Sequence, residues 1–238
     1  MTKFGKALDK GLDILETLQS SYEPLSFSEL KERINVSPAS FARFLKLLLQ
    51  REYIVRNEQG LYSIGIRAIQ VGLSGLERLP LTAITRSHLK EITETTEESS
   101  EISLFEEGTF TFLHREECQR SVILRGRPGN RFDIQDNTAI GRVGLAFGYG
   151  KGPASLDSGI AETVKKLLFA EMLQNDNEVY RGASPVFNNT GACIGCLSIA
   201  APAFRIKSSE KKRFRSILTD HARRISAKLG SIGQTAGL

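Results

Sequence analysis

The hydrophobic positions at the start of the chain repeat with the period of α-helices. Four leucines recur at spacings of three and four residues and predict an amphipathic first helix: Leu8, Leu12, Leu15 and Leu18. Ser26 and Glu29 stand at the spacing of a capping box and predict a short second helix over SFSELKERI. Ser37 is the expected N-cap of a third helix, PASFARFLKLLLQREY, because Pro38 suits a first helical position. The chain is therefore predicted to begin with three closely spaced helices.

A short hairpin and one further helix follow. The stretch YIVRNEQGLYSIG has two apolar runs around the turn residues NEQG, which predicts a β-hairpin. The stretch IRAIQVGLSGLERLP predicts a connecting helix that ends at Pro80. Helix, short helix, turn, second helix and hairpin is the order of a winged helix-turn-helix. We therefore predict an all-α/winged helix-turn-helix domain over residues 1–64 and a linker helix over residues 65–79.

Residues 80–238 mix helical and strand patterns. Helices are predicted over LTAITRSHLKEITETTEES, TAIGRVGLAFG, SGIAETVKKLLFAEML and KSSEKKRFRSILTDHARRISAKLG. Strands are predicted in the hairpin EISLFEEGTFTFLHRE, in SVILR, and in EVYRGASPVF and ACIGCLSIAAP, which the turn NNTG joins. The stretch GRPGNRFDIQD is predicted to be a loop. This order predicts a second domain of the α+β class with an antiparallel sheet.

Composition and charge narrow the function classes. The 238 residues are 40% hydrophobic and carry a net charge of +5. Residues 1–75 contain ten basic and eight acidic residues. Residues 76–204 contain thirteen basic and seventeen acidic residues, whereas residues 205–230 contain nine basic and two acidic ones. This distribution argues against a general polyanion binder, although a specific DNA module needs only a local basic face. No stretch approaches the roughly 18 apolar residues of a membrane span, and we expect no signal peptide because the first residues have no continuous apolar core. We expect a cytoplasmic protein without a membrane partner.

Several stretches resemble the IclR family of transcriptional regulators, and together they span nearly the whole chain. KALDKGLDILETL is similar to the family's first helix, and SELKERINVSPASFARFLKLLLQREYIVRNEQGLYSIG to its helix-turn-helix and wing. Three further stretches are similar to the family's effector domain: LKEITETTEESSEISLFEEGTFTFLHRE, GRPGNRFDIQDNTAIGRVGLAF and ASPVFNNTGACIGCLSIAAP. The resemblance implies a GAF-like effector-binding domain over residues 80–238, a small-molecule effector, double-stranded operator DNA as partner, and a homodimer or dimer of dimers. We expect a ligand-responsive repressor.

The third helix carries the candidate DNA contacts. A recognition helix presents its N-terminal residues to the major groove, with hydroxyls and cations reaching phosphates around them. The residues expected at the DNA surface are Ser37, Ala39, Ser40, Arg43 and Lys46, with Arg56 beside the wing turn. The alternative to a DNA contact is that Arg43 and Arg56 are solvent-exposed charges without a partner on the DNA. Phe41 is expected to pack in the core. Few of these side chains read bases bidentately, so selectivity is expected from DNA shape and paired half-sites.

The candidate effector site lies under the loop RGRPGNRFDIQDNTAIG. Four arginines make this region basic, which suits a carboxylate or phosphate: Arg125, Arg127, Arg131 and Arg181. The alternative is that they form surface ion pairs with Glu101, Glu106, Glu107, Asp133 and Asp136. The resemblance implies a pocket floor of Ala139, Ile140 and Gly141 and one polar contact from Ser198.

The chain departs from the family pattern near this site. The segment between Phe147 and Glu178 is shorter than in typical members. Ala200 stands where the family has a second small hydroxyl residue facing the ligand, and Arg181 stands where it often has a small residue. The resemblance alone therefore does not assign the family's small-acid ligands to this chain. A DNA-binding regulator with a degenerate, non-sensing dimerisation domain remains the alternative.

The cysteines and histidines are weak candidates for catalysis or metal binding. Cys193 and Cys196 stand three apart on a predicted strand, so their side chains should point to opposite faces rather than converge. We expect small buried apolar residues, with a redox or metal role as the alternative. Cys118, His114 and Glu116 are the candidate nucleophile–base set of a remote enzymatic alternative. The three histidines lie far apart in sequence, and we predict no enzyme, no cofactor and no metal site.

Overall fold

A computed structural model describes most of the chain as two units with separate cores. It describes residues 3–21, 23–77, 79–124, 126–135, 137–151, 155–174 and 178–235. The contacts within the chain divide it into Met1–Leu79 and Pro80–Leu238. No helix in these described ranges is long and apolar enough to cross a membrane.

The N-terminal unit is a helix-turn-helix with a hairpin wing, as the sequence predicts. Its elements are α1 (Lys3–Ser20), α2 (Phe27–Arg33), α3 (Pro38–Gln50), β1 (Ile54–Arg56), β2 (Tyr62–Ile64) and α4 (Ile66–Glu77). Ser26 and Glu29 form the predicted capping box of α2, and Ser37 caps α3. The buried side chains of α1, α2, α3 and the hairpin form one apolar core: Ile14, Leu18, Leu25, Leu30, Ile34, Phe41, Leu45, Ile54 and Tyr62. This core holds α3 with its polar face outward.

The C-terminal unit is built on a six-stranded sheet in which all neighbouring strands are antiparallel. The strands are β3 (Ser99–Glu106), β4 (Thr109–Glu116), β5 (Arg131–Asp133), β6 (Ala170–Gln174), β7 (Val179–Phe187) and β8 (Cys193–Pro202), in the order β5-β4-β3-β8-β7-β6. Helices α5 (Pro80–Thr96) and α8 (Ser208–Thr235) pack on one face of the sheet. Helices α6 (Ala139–Ala146) and α7 (Ser158–Leu167) pack on the other face. The predicted α+β class with an antiparallel sheet is confirmed.

Residues 121–124 of the predicted strand SVILR are not a strand, which corrects one prediction. Residues 121–124 have no regular secondary structure. The carbonyl oxygen of Val122 accepts a hydrogen bond from Arg205 at 2.6 Å, and the carbonyl oxygen of Leu124 accepts one from Arg115. Because arginine side chains satisfy these backbone groups, the segment needs no neighbouring strand.

Two further segments differ from their predicted structure. The predicted loop GRPGNRFDIQD contains β5, a three-residue edge strand that pairs with β4. The predicted helix SGIAETVKKLLFAEML ends at Leu167, and its last four residues belong to β6. Leu168 has a φ of 50°, and this left-handed residue ends the helix and turns the chain into the strand. Pairing with β7 then outweighs the local helical pattern.

Candidate DNA surface and effector site

The N-terminal face of α3 carries a connected row of polar side chains. The Ser37 hydroxyl accepts a hydrogen bond from the backbone N–H of Ser40 at 3.4 Å and lies 3.0 Å from the Ser40 hydroxyl. Arg43 donates from Nη2 to the Ser40 hydroxyl at 3.2 Å. Ala39 and Lys46 are exposed on the same side of the helix, one turn from Arg43. All five residues predicted on this helix therefore share one accessible face.

Arg56 is exposed but is held against its own hairpin. Its Nε donates to the carbonyl oxygen of Gly60 at 3.1 Å, and its guanidinium lies 5.5 Å from the centroid of the Tyr62 ring. Gly60 has a φ of +81°, a left-handed conformation that glycine adopts without strain. Phe41, by contrast, is fully buried in the core, as the sequence predicts.

Glu101 lies at the centre of a buried cluster on the sheet face that α6 covers. It faces Arg115 across β4 and Ser198 across β8. Arg115 Nη1 donates to Glu101 Oε1, Arg181 Nη1 donates to Oε2, and the Ser198 hydroxyl donates to Oε2 at 3.3 Å. The side chains of Glu101 and Arg115 are 1% and 3% exposed, whereas that of Arg181 is 17% exposed. Both carboxylate oxygens are thus bound, and Arg181 lies nearest to solvent.

A loop and an aromatic ring close this cluster. A Cβ atom on Gly126 would lie 3.1 Å from both Arg115 Nη1 and Glu101 Oε1, so the loop backbone lies directly on the ion pair. The Arg181 guanidinium lies 5.7 Å from the centroid of the Phe112 ring, within the range of a cation–π contact. The predicted effector site therefore contains a carboxylate that the protein itself supplies.

Helix α6 brings its three predicted residues to the same sheet face. Thr138 caps the helix by accepting a hydrogen bond from the backbone N–H of Gly141 at 2.9 Å. Ala139 and Ile140 are buried in the apolar cluster that α6 forms with β7 and β8. A Cβ atom on Gly141 would lie 1.7 Å from the carbonyl oxygen of Gln135, so no larger residue fits there without a backbone shift.

The remaining predicted effector residues are Ala200, Arg127 and Arg125. Ala200 is buried and lies opposite Arg181 across the β7–β8 pair. Arg127 is exposed on the loop. Arg125 lies outside the described residues.

One of the ion pairs in the alternative prediction lies at the surface. Arg131 and Glu106 form an exposed ion pair at 3.3 Å. The pair between Arg181 and Glu101 is buried, so it is a structural feature of the site and not a solvated contact.

Sequence reasoning missed Arg115 because a β-bulge changes the hairpin register. Counting back from the hairpin turn places His114 opposite Glu101. A register shift after Ile102 places Arg115 there and His114 opposite Ile102 instead. The available signal was the glutamate itself, since a carboxylate within the apolar strand EISLF requires a partner when buried.

Cys193 and Cys196 lie on the same face of the sheet, which corrects the prediction that they point apart. A register irregularity in the β7–β8 pair leaves Ile194 as an extra residue between them. Both thiols are free and buried in the α6 cluster. Burial raises the pKa of the Cys193 thiol to about 11 and that of Cys196 well above its ordinary value. Neither is a thiolate at neutral pH.

Cys118 and His114, two members of the candidate nucleophile–base set, are not hydrogen-bonded to each other among the contacts of the described residues. Cys118 is buried beyond β4, and its backbone N–H donates to the Ser99 hydroxyl at 3.2 Å. His114 Nε2 is buried without a hydrogen-bond partner among the described residues. Burial and the nearby charge of Arg86 lower the pKa of His114.

Similarity to known regulators decides the family. The sequence model of the IclR helix-turn-helix domain matches residues 7–58. The HTH-type transcriptional regulator KdgR of Escherichia coli is 24% identical over 93% of this chain and 91% of its own length. The repressor AllR of Escherichia coli is 21% identical over 96% of this chain and 92% of its own length. The chain is an IclR-family transcriptional regulator.

Solved structures show that the IclR fold extends over both units. The Thermotoga maritima IclR structure has a TM-score of 0.73 at 22% identity, covering 94% of this chain and 99% of that one. A putative regulator from Rhodococcus sp. RHA1 has a TM-score of 0.79 at 18% identity, covering 95% and 99%. An IclR homologue from Microbacterium hydrocarbonoxydans, solved in complex with 4-hydroxybenzoate, has a TM-score of 0.76 at 18% identity, covering 94% and 99%.

Proposed function

We propose that this IclR-family regulator is a repressor that responds to a small carboxylate bound beside Arg181. The observation that carries this proposal is the carboxylate of Glu101, held by Arg115, Arg181 and Ser198 on the sheet face under α6. A site that already binds one carboxylate has the charge and the donors to bind another. The ligand in the structure of the Microbacterium homologue, 4-hydroxybenzoate, is also a carboxylate and supports this class.

The effector carboxylate competes with Glu101 for Arg181. Arg181 is the more exposed of the two arginines, while Arg115 keeps its own bond to Glu101. The exchange replaces one buried ion pair by a charge-assisted arginine–carboxylate pair and leaves no carboxylate without a partner. The ligand would alter operator binding by binding one arrangement of the regulator more tightly than the other.

Calorimetric titration with a panel of small carboxylates and their uncharged amides tests this site. Arg181→Met removes the proposed ligand contact, and Arg131→Met is the matched control because Arg131 forms an exposed ion pair. We expect a carboxylate to bind wild type and Arg131→Met, whereas Arg181→Met and the amides show no binding. Equal binding to both variants would contradict the proposal.

One observation favours a second function, that of a regulator whose C-terminal unit senses no ligand. Glu101 already satisfies Arg181 and Ser198, and the backbone at Gly126 covers the Glu101–Arg115 pair. In this alternative Glu101 is a permanent structural occupant of the site. Intact operator binding that no member of the carboxylate panel changes, together with absent heats of binding, would favour it.

Helix α3 is the proposed recognition helix, with Ser37, Ala39, Ser40, Arg43 and Lys46 at the DNA. Arg51→Ala is a matched control for Arg43→Ala, because Arg51 is also exposed and lies about 12 Å further along the helix axis. Fluorescence anisotropy with DNA from upstream of the protein's own gene, in a salt series, gives the affinity. We expect Arg43→Ala alone to weaken binding and to reduce the salt slope by about one.

A glycine at the cap separates DNA contact from helix capping. Ser37→Gly removes the hydroxyl but costs only a few tenths of a kcal/mol, since glycine is an accepted N-cap. Weaker DNA binding with an unchanged melting temperature would support a contact from Ser37.

Arg56 contributes to DNA binding through its remaining N–H donors, and Arg56→Gln should weaken binding less than Arg43→Ala.

Assembly as a homodimer or dimer of dimers is proposed through α4. Four large apolar side chains of this helix are about half exposed in the single chain: Ile66, Ile69, Val71 and Leu73. Ile66, Ile69 and Leu73 recur at spacings of three and four residues and share one face of the helix, as is typical of an interface, whereas Val71 lies on the opposite side. Leu73→Glu should lower the mass measured by light scattering, whereas Val71→Glu, the same kind of change on the opposite side of the helix, should not.

A further inference from the structure

Two histidines that are 133 residues apart in the sequence meet between α5 and α8. His88 and His221 are 2% and 6% exposed, and Glu91 lies one helical turn after His88 on α5. A ligand atom of each residue lies within 4.8 Å of the other two. We propose that His88, Glu91 and His221 bind a divalent transition-metal ion of the Zn²⁺ class, which ties α5 to α8. This proposal is independent of the proposed effector and DNA sites.

The geometry is close to that of a zinc site. The Nδ1 atoms of His88 and His221 lie 2.9 Å apart, and the two rings are nearly perpendicular, at 88°. Zinc–nitrogen bonds of about 2.0–2.1 Å in a tetrahedron separate two ligand nitrogens by about 3.3 Å. The two rings therefore have to separate by about 0.4 Å to admit the ion. Two imidazoles and one carboxylate leave a fourth position for water, and imidazole donors favour Zn²⁺ over Mg²⁺ or Ca²⁺.

The hydrogen-bond contacts of the two imidazoles fit an ion bound between their Nδ1 atoms. Lys228 Nζ lies 3.5 Å from His88 Nε2, which favours a proton on His88 Nδ1 that is donated to His221. The ion replaces the proton on His88 Nδ1. This proton moves to His88 Nε2, so the two imidazoles together lose no proton.

Two cations near the site oppose the ion without blocking it. Arg224 Nη2 lies 3.9 Å from Glu91 Oε2, and both side chains are at least half exposed. Such an exposed pair is weak, and Arg224 has a second partner in Asp220 at 3.6 Å. Lys228 is exposed on α8, so its ammonium can turn away when His88 Nε2 carries a proton. Glu91 is thus available to the ion at little cost.

Zinc titration of the metal-free, tag-free full chain against a chromophoric chelator tests the site. We expect one ion per chain, and Glu91→Gln or His221→Gln to weaken binding by about tenfold or more. Glu94→Gln is the matched control, because Glu94 is exposed on the same helix and pairs with Lys90. Lys228→Gln should strengthen binding, since it removes a cation and offers an acceptor to His88 Nε2–H. A purely structural role of these residues predicts no such gain.

Melting temperatures in EDTA and cobalt spectra complete the test. Glu91 is exposed, so Glu91→Gln should melt like wild type in EDTA but should lose the increase in melting temperature that zinc gives to wild type. The proposal is overturned if wild type binds no stoichiometric zinc, or if Glu91→Gln and Glu94→Gln bind it equally. A thiolate-to-cobalt charge-transfer band in the Co²⁺ complex would place the ion on cysteines and would also overturn it.

Discussion

Replacing Glu101 with glutamine tests whether the buried charge cluster stabilises the C-terminal unit. The substitution keeps the shape of the side chain but leaves Arg115, whose side chain is 3% exposed, without its buried carboxylate. Breaking a buried ion pair by removing one partner costs about 3–5 kcal/mol. Glu117 lies 3.6 Å from Arg115 Nε and is 55% exposed, so it compensates only in part. Arg181 is nearer to solvent, so the loss of its ion pair with Glu101 costs less. We expect Glu101→Gln to lower the free energy of unfolding by about 3 kcal/mol.

Glu106→Gln on the same strand is the control for this loss. Glu106 is 52% exposed and pairs with Arg131, which is 61% exposed. An exposed pair of this kind contributes about 0–1 kcal/mol. Urea unfolding followed by circular dichroism gives both values. With a denaturant slope of about 1–3 kcal/mol/M, the Glu101→Gln midpoint should fall by about 1–3 M.

Equal midpoints for the two variants would refute the reasoning. They would mean that Arg115 finds water or another acceptor in the folded state. A second check is the pair of variants Arg181→Met and Glu101→Gln with their double mutant. Arg181→Met should lower the free energy of unfolding less in the Glu101→Gln background than in wild type, because the carboxylate that Arg181 binds is already absent.

Three further outcomes follow from the structure. Gly141→Ala should unfold or strongly destabilise the C-terminal unit, whereas Gly230→Ala in α8, with no atom within 4 Å of the new Cβ, should raise its stability by about 0.5–1 kcal/mol in thermal melts. Cys193 and Cys196 should resist Ellman's reagent at pH 8 in the native state and react in urea, because burial raises both pKa values; fast native labelling would contradict their burial. Ser26→Ala should lower the stability of the N-terminal unit by about 1 kcal/mol, measured by urea unfolding, because the capping box is lost.

Local chemistry made much of the fold predictable. The caps at Ser26, Ser37 and Thr138 satisfy backbone groups within a few residues of themselves, so their patterns could be recognised in the sequence. The turn NNTG joins β7 to β8 as predicted, and the asparagine and glycine in it supply its hydrogen bonds and its positive φ. The polar face of α3 follows from helical spacing alone, since Phe41 and Leu45 fix which side is buried.

The tertiary structure decided the chemistry of the C-terminal unit. A bulge in β3–β4 placed Arg115 beside Glu101, and an irregularity in β7–β8 placed both cysteines on one face. Pairing with β7 made the last four residues of a predicted helix part of β6. His88 and His221 meet only because α5 and α8 cover the same face of the sheet. Each of these contacts joins residues that are distant in sequence or depends on strand register, and the packing of the whole core determines both. Residue order by itself therefore determined most of the elements and the resemblance to the family, whereas the tertiary packing determined the remaining elements and which charged and metal-ligating groups meet.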